Sequence, residues 1–234
     1  HLSTRRSVQL VREAKSRGLR VSAEVTPHHF TLTDAAVAEY DTNAKMNPPL
    51  RSAEDVAALI EGIEDGTIDA IASDHAPHHI NLKMLEFDRA PFGITGLETA
   101  IGLAMTKLRL PIGRLIELFS INPQKIMKVV PWGLFEESIA DLTILDVNRK
   151  WIFDVQQSRS RSRNSPFHAW PMTGKAVATI VGGKVVERCV DLHHVAAIVG
   201  TPLREVGQHR RAGNLRQPRQ HLAAARQPVR QGHA

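Results

Sequence analysis

The stretch IASDHAPHHI, residues 71–80, decides how this chain is read. A short apolar run ends abruptly, and Asp74, His75, His78 and His79 follow within six residues. The apolar part, residues 68–73, is too short for a helix and has the make-up of a buried strand. If that strand belongs to a parallel β/α unit, residues just past its C-terminal end face the active site. A carboxylate and imidazoles there are the donors that suit Zn²⁺, which polarises a carbonyl and acidifies bound water. A surface loop rich in histidine, with Asp74 capping a turn, would be written in the same letters. The stretch alone leaves both readings open.

The flanking sequence favours the first. Residues 7–17 space Val8, Leu10, Val11 and Ala14 as a helix does, and Gly18 is a helix stop. LRVSAEVT, residues 19–26, reads as a strand ending at Pro27. Thr33 is placed to cap a short helix, and Pro48 and Pro49 forbid one nearby. Ser52 with Asp55 resembles a capping box opening a helix with Val56, Leu59, Ile60 and Ile63, which Gly66 ends. Helices alternating with buried strands predict an α/β fold with parallel β/α units. Further helices are expected over 96–107, 112–119 and 123–129. From Ile139 the pattern changes: ADLTILDV, KWIFDV and VATIVGGKVVE read as strands, with Gly182-Gly183 as a hairpin turn. SRSRSRNSPF, residues 158–167, reads as a polar loop between them.

Three successive segments then end in chemistry-bearing groups: HLST at the start, EVTPHH at 24–29, and DHAPHH at 74–79. One strand-end histidine is usually structural; three adjacent clusters are harder to dismiss. His28 and His29 are read as structural, and His75 and His79 as supporting or surface residues.

Composition narrows the rest. No apolar run reaches the roughly 18 residues of a membrane span. The single cysteine, Cys189, forms no internal disulfide and fits a reducing, cytoplasmic setting. Of the net charge of +6, residues 191–234 supply +5, from seven Arg and two acids. A near-neutral body with a basic tail is not the footprint of a nucleic-acid-binding fold, so nucleic acid is not an expected partner. The expected organisation is residues 1–138 as barrel, 139–189 as a small β module, and 190–234 as a basic low-complexity tail, disordered or non-native.

The chain resembles dihydroorotases of the bacterial class I type, in the amidohydrolase superfamily. The resemblance rests on HLSTRRSVQLVREAK, VSAEVTPHHFTLTD, YDTNAKMNPPLRS, DGTIDAIASDHAPHH, APFGITGLETAIGL, FSINPQKI, ADLTILDV and NSPFHAWPMTGKAVATIVGGKVVE. It implies part of a TIM-type (β/α)8 barrel followed by part of a small β-sandwich. It implies two Zn²⁺ per complete site, with His1 and Asp74 as ligands. Asp74 would also be catalytic, taking the proton of the attacking water and delivering it to the ring nitrogen. Asn47, His78 and Gly93 match substrate-binding positions, His78 toward the substrate carboxylate; Phe92 stands where the family has proline. Glu24 matches a position that touches the site in some relatives, and equally suits a polar barrel-interior residue. The implied reaction interconverts dihydroorotate and N-carbamoyl-L-aspartate in pyrimidine biosynthesis.

In the family a His-x-His pair, a bridging carboxylate or carboxylated lysine and a further histidine precede HLST. The sequence therefore reads as the C-terminal part of such an enzyme, inactive alone. The resemblance leaves room for a homodimer and for association with aspartate transcarbamoylase. Two alternatives remain: a related cyclic-amide hydrolase such as an allantoinase or dihydropyrimidinase, and a non-catalytic dihydroorotase-like partner of the transcarbamoylase.

Overall fold

The first helix, α1 (Arg5–Ser16), begins where its sequence can satisfy the free N–H groups of a first turn. The Thr4 hydroxyl accepts from the Ser7 amide at 3.1 Å and the Ser7 hydroxyl reaches back to Thr4, a reciprocal capping box. In α2 (Ala53–Glu64) the Ser52 hydroxyl accepts from the Asp55 amide, as its sequence predicts, and Gly66 turns the chain at a positive φ of 81°. The computed structural model describes residues 1–129 and 140–188, and the backbone of 197–200.

A short strand follows each of these helices, and the two strands are parallel. β1 (Glu24–Val25) pairs with β2 (Ala70–Ile71) in the register Glu24 to Ala70 and Val25 to Ile71. The strands are shorter than the predicted runs. Leu19 and Val21, in the first half of the β1 run, are 50% and 40% exposed and lie outside the ladder. The Leu2 amide donates to the Glu24 carbonyl, so the chain's start runs beside β1. On the other side His75 bridges in parallel to Ile94. His1, Thr26 and Asp74 are thus delivered side by side at one end of the strands.

A one-turn helix, α3 (Ile80–Lys83), follows the DHAPHH loop, and its sequence gives no warning of it. Then come α4 (Ala100–Lys107), α5 (Ile112–Ile116) and α6 (Asn122–Met127). A widened π turn over Glu117–Ile121 joins the last two, so the two predicted helices form one continuous helical run. The short helix expected after Thr33 is a 3₁₀ turn, Asp34–Val37. Against β1 and β2, α1, α2, α4, α5 and the π turn bury Val8, Val25, Leu59, Ile63, Ile68, Ile71, Ala104, Leu115 and Leu118.

The second half is antiparallel. β3 (Leu142–Ile152), β4 (Pro171–Val181), β5 (Lys184–Arg188) and β6 (Ala197–Gly200) form a sheet in the order β5-β4-β3-β6. Gly182 and Gly183 both take positive φ at the β4–β5 hairpin, which is why the turn needs them. ADLTILDV and KWIFDV, read as separate strands, are one long strand. β6 pairs with Leu142–Leu145 of β3. The sequence reading has no strand there, because the apolar run VAAIV sits among Arg, Gln and His. The other residues of the expected tail, and the expected boundary at 138, lie outside the described residues. Among the described residues no helix is long and apolar enough to cross a membrane.

The two halves share a core. Phe153, Val155, Phe167 and Met172 pack with Leu32, Met46, Leu50, Ile94 and Leu103. β4 approaches α4 so closely that a Cβ on Gly174 would lie 2.1 Å from the Met105 sulfur, at a φ of 80°. Gly174→Ala is expected to destabilise the fold by roughly 1–3 kcal/mol, through backbone strain and displacement of Met105. A chemical-denaturation midpoint equal to that of the parent would show that this approach is loose.

Candidate metal and substrate site

Asp74 is where the strand β2 meets the loop, and its backbone is in the left-handed region at φ 45°. Aspartate is among the few side chains that tolerate this conformation, and such outliers gather at functional sites. His1 Nε2 lies 3.5 Å from Asp74 Oδ1, and His1 Nδ1 lies 2.8 Å from Glu24 Oε1. His28 Nε2 lies 3.9 Å from Asp74 Oδ2. Burial pushes the Asp74 carboxyl above its ordinary range.

The two histidines of the PHH run differ. His29 is fully engaged: Nδ1 is 2.7 Å from the Thr26 hydroxyl, and Nε2 donates to the Pro48 carbonyl at 2.9 Å. His28 is 1% exposed, yet its Nε2 has no hydrogen-bond partner. Burial pushes its pKa down to about 2, with the neighbouring His29 a smaller cause, so the ring is neutral. A neutral buried imidazole aimed at a carboxylate is a group the structural reading of His28 does not account for.

These residues fit a divalent metal. Two donors about 2.0–2.2 Å from one tetrahedral zinc would stand about 3.4 Å apart. The separation of His1 Nε2 and Asp74 Oδ1 is of that size and too long for a good hydrogen bond. Among the described residues no three His, Cys, Asp or Glu side chains converge tightly enough to hold an ion. His1 and Asp74 are spaced as two donors to one ion would be, and His28 Nε2 lies on the other oxygen of the carboxylate.

The other predicted residues assemble beside this group. Half-buried His78 places Nε2 2.8 Å from the Phe92 carbonyl. A carbonyl only accepts, so Nε2 carries the proton and Nδ1 is left for another contact. Gly93 is buried at φ 121°, and a Cβ there would meet Ala76 at 2.5 Å and His78 Nε2 at 3.1 Å. Only glycine permits this approach. The Gly93 amide donates to the Lys45 carbonyl at 2.9 Å, which draws the segment carrying exposed Asn47 to the same place. Asn47 itself precedes Pro48 through a cis peptide bond. His75 Nδ1 accepts from the Gly96 amide and His79 Nδ1 from the Asn81 amide; both serve the backbone.

Sequence reading missed two buried lysines here. Lys45 Nζ donates to the carbonyls of Phe87, Asp88 and Ala90, and Lys83 Nζ to those of Pro91 and Gly93. Burial pushes Lys83 down to about 8. Their ammonium groups hold the 87–93 loop by its carbonyls.

The sequence profile of the amidohydrolase family matches residues 3–186. The chain belongs to the amidohydrolase family. Members are generally metal-dependent, and the fold is the TIM-barrel-type α/β fold of that superfamily. The chain is 50% identical over 191 residues to a dihydroorotase of Geobacter metallireducens, which covers 80% of the chain and 45% of the relative. It is 47% identical over 192 residues to a dihydroorotase of Acetivibrio thermocellus. Among solved structures it resembles an L-hydantoinase (dihydropyrimidinase) of Arthrobacter aurescens, at 34% identity and a TM-score of 0.73 over 80% of the chain and 44% of the relative. A dihydropyrimidinase of Brevibacillus agri, 21% identical, shares the fold with a TM-score of 0.73. The chain thus spans about 45% of the length of the curated relatives it matches.

Proposed function

We propose that this chain supplies the Asp74 side of a dihydroorotase active site, which interconverts dihydroorotate and N-carbamoyl-L-aspartate in pyrimidine biosynthesis. The parallel strands and their helices are part of a (β/α)8 barrel, residues 1–138. The antiparallel strands of 139–189 are part of a β-sandwich module. The observation that carries the reading is the gathering of His1, Glu24, His28 and Asp74 at one strand end, next to His78 and Gly93. The similarity to dihydroorotases, higher than to hydantoinases, supports the choice of substrate.

His1 and Asp74 would hold zinc, and a bound zinc would supply Lewis acidity and a more acidic bound water. Asp74 accepts the proton of the attacking water and returns it to the ring nitrogen as the amide opens. Glu24 holds the His1 ring through Nδ1 and so presents Nε2 to the metal position. His78 donates from Nδ1 to the substrate carboxylate when its ring is protonated on both nitrogens, since the Phe92 carbonyl already takes the Nε2 proton. Asn47 and the Gly93 backbone contact the ring. A homodimer and an aspartate transcarbamoylase partner are compatible with this role.

The test is a chimaera in which the upstream part of the Geobacter metallireducens dihydroorotase precedes His1. It is expected to open dihydroorotate and to leave hydantoin and dihydrouracil untouched. Preference for either of the latter would replace this reading with a hydantoinase one. In the same chimaera His78→Ala should raise KM for dihydroorotate about tenfold to a hundredfold, by loss of a charge-assisted hydrogen bond of roughly 1.5–3 kcal/mol. Metal content should stay at the parent value; a loss of metal with unchanged KM would move His78 to the metal.

A further inference from the structure

Asn164 lies in the polar loop between β3 and β4, far along the chain from the site, yet it is only 2% exposed. Its side-chain amide makes three hydrogen bonds, all to the backbone of the two segments that carry His78 and Gly93. Oδ1 accepts from the His78 amide at 3.1 Å. Nδ2 donates to the Ala76 carbonyl at 2.9 Å and to the Gly93 carbonyl at 3.0 Å. Its own carbonyl accepts from the Thr95 amide at 2.9 Å. The loop is held in turn by Glu98, whose carboxylate accepts from the Ser158 hydroxyl and from the amides of Arg159 and Ser160.

We infer that Asn164 is a positioning residue, through which the antiparallel module sets the spacing of His78 and Gly93 and hence the affinity for the substrate's carboxylate end. The inference rests on the dihydroorotase reading for the identity of that substrate. The geometry is specific to an amide. A neutral side chain must present one acceptor to an N–H and two donors to carbonyls on different segments, and no other side chain of this length does so. His78 is fixed at two points, one on its main chain and one on its ring. Asn164 holds its main-chain amide, and the Phe92 carbonyl, one residue from Gly93, holds Nε2. If the 76–78 and 93–95 segments drift apart, the Nδ1 face moves with them. Asp74, before the clamp, keeps its own neighbours.

Two variants and two measurements test this. Asn164→Asp is close to isosteric, but it sets an oxygen where Nδ2 faced two carbonyls; Asn164→Ala removes all three bonds. In the chimaera both should raise KM for dihydroorotate about tenfold while kcat stays within about threefold. In the 234-residue chain carrying Asn164→Ala, hydrogen exchange of the His78 amide should quicken at least about tenfold, with Val8 and Leu59 in the distant core unchanged. Parent-like KM in both variants overturns the inference. So does an equal fall in kcat and kcat/KM accompanied by a lower Tm, the mark of a general structural role. Unchanged exchange at His78 overturns the clamp whatever the substrate is. A parent chimaera that leaves dihydroorotate intact while exchange at His78 still quickens overturns the functional reading, and with it the substrate half of this inference.

Discussion

Asp74→Asn in the chimaera is expected to lower kcat by at least about a hundredfold in both directions, with folding intact. The substitution is selective for physical reasons. Asparagine tolerates the left-handed φ of 45° as well as aspartate does, so the turn after β2 is not strained. It keeps the shape and one oxygen facing His1. What it loses is the capacity to accept a proton, and general acid–base catalysis alone is worth roughly 10²–10⁴ in rate. Weaker metal binding adds to the loss. The two causes separate if metal content is measured on the sample assayed. A metal-loaded variant within about tenfold of the parent would show that another group moves the proton.

Asp74 was legible because strand-end placement and residue type agree: an apolar run stops and a carboxylate with imidazoles begins. The helices α1 and α2 were legible for a similar reason, their caps and their apolar faces pointing to the same boundaries. His28 was not. In the letters Pro-His-His nothing separates a ring whose two nitrogens are satisfied, as in His29, from one whose Nε2 is left facing a carboxylate. That difference is made by Thr26, Pro48 and Asp74 in three dimensions.

Lys45, Lys83 and Asn164 were illegible for another reason. Lysine and asparagine are mostly exposed, and in a polar or mixed stretch they read as surface. Here each is buried because a loop turns its carbonyls inward and needs donors. The requirement comes from backbone geometry across a gap as long as the 88 residues between Ala76 and Asn164. No local periodicity carries such a demand. β6 shows the same limit on the pairing side, since its partner, β3, lies far earlier in the chain.

Phe167→Ala is expected to cost about 3–5 kcal/mol of stability, the range for deleting a fully buried aromatic ring. Phe167 is 0% exposed and meets Trp170 edge-on, with centroids 5.2 Å apart. It belongs to the cluster that contains Met46, Ile94 and Leu103 from the first half and Phe153 and Met172 from the second. Removing it opens a cavity at the seam of the two halves, where neither side can collapse without moving the other. Met46 adjoins Asn47, Ile94 adjoins Gly93, and Asn164 is three residues away, so the damage should reach the substrate end before it reaches Asp74. KM should therefore rise in the surviving folded fraction while metal content holds. A stability loss below about 1 kcal/mol in a denaturation series, with unchanged slope, would mean that the halves are held together elsewhere. The control is Phe153→Leu, which keeps an apolar side chain at the same seam and should cost less than half as much.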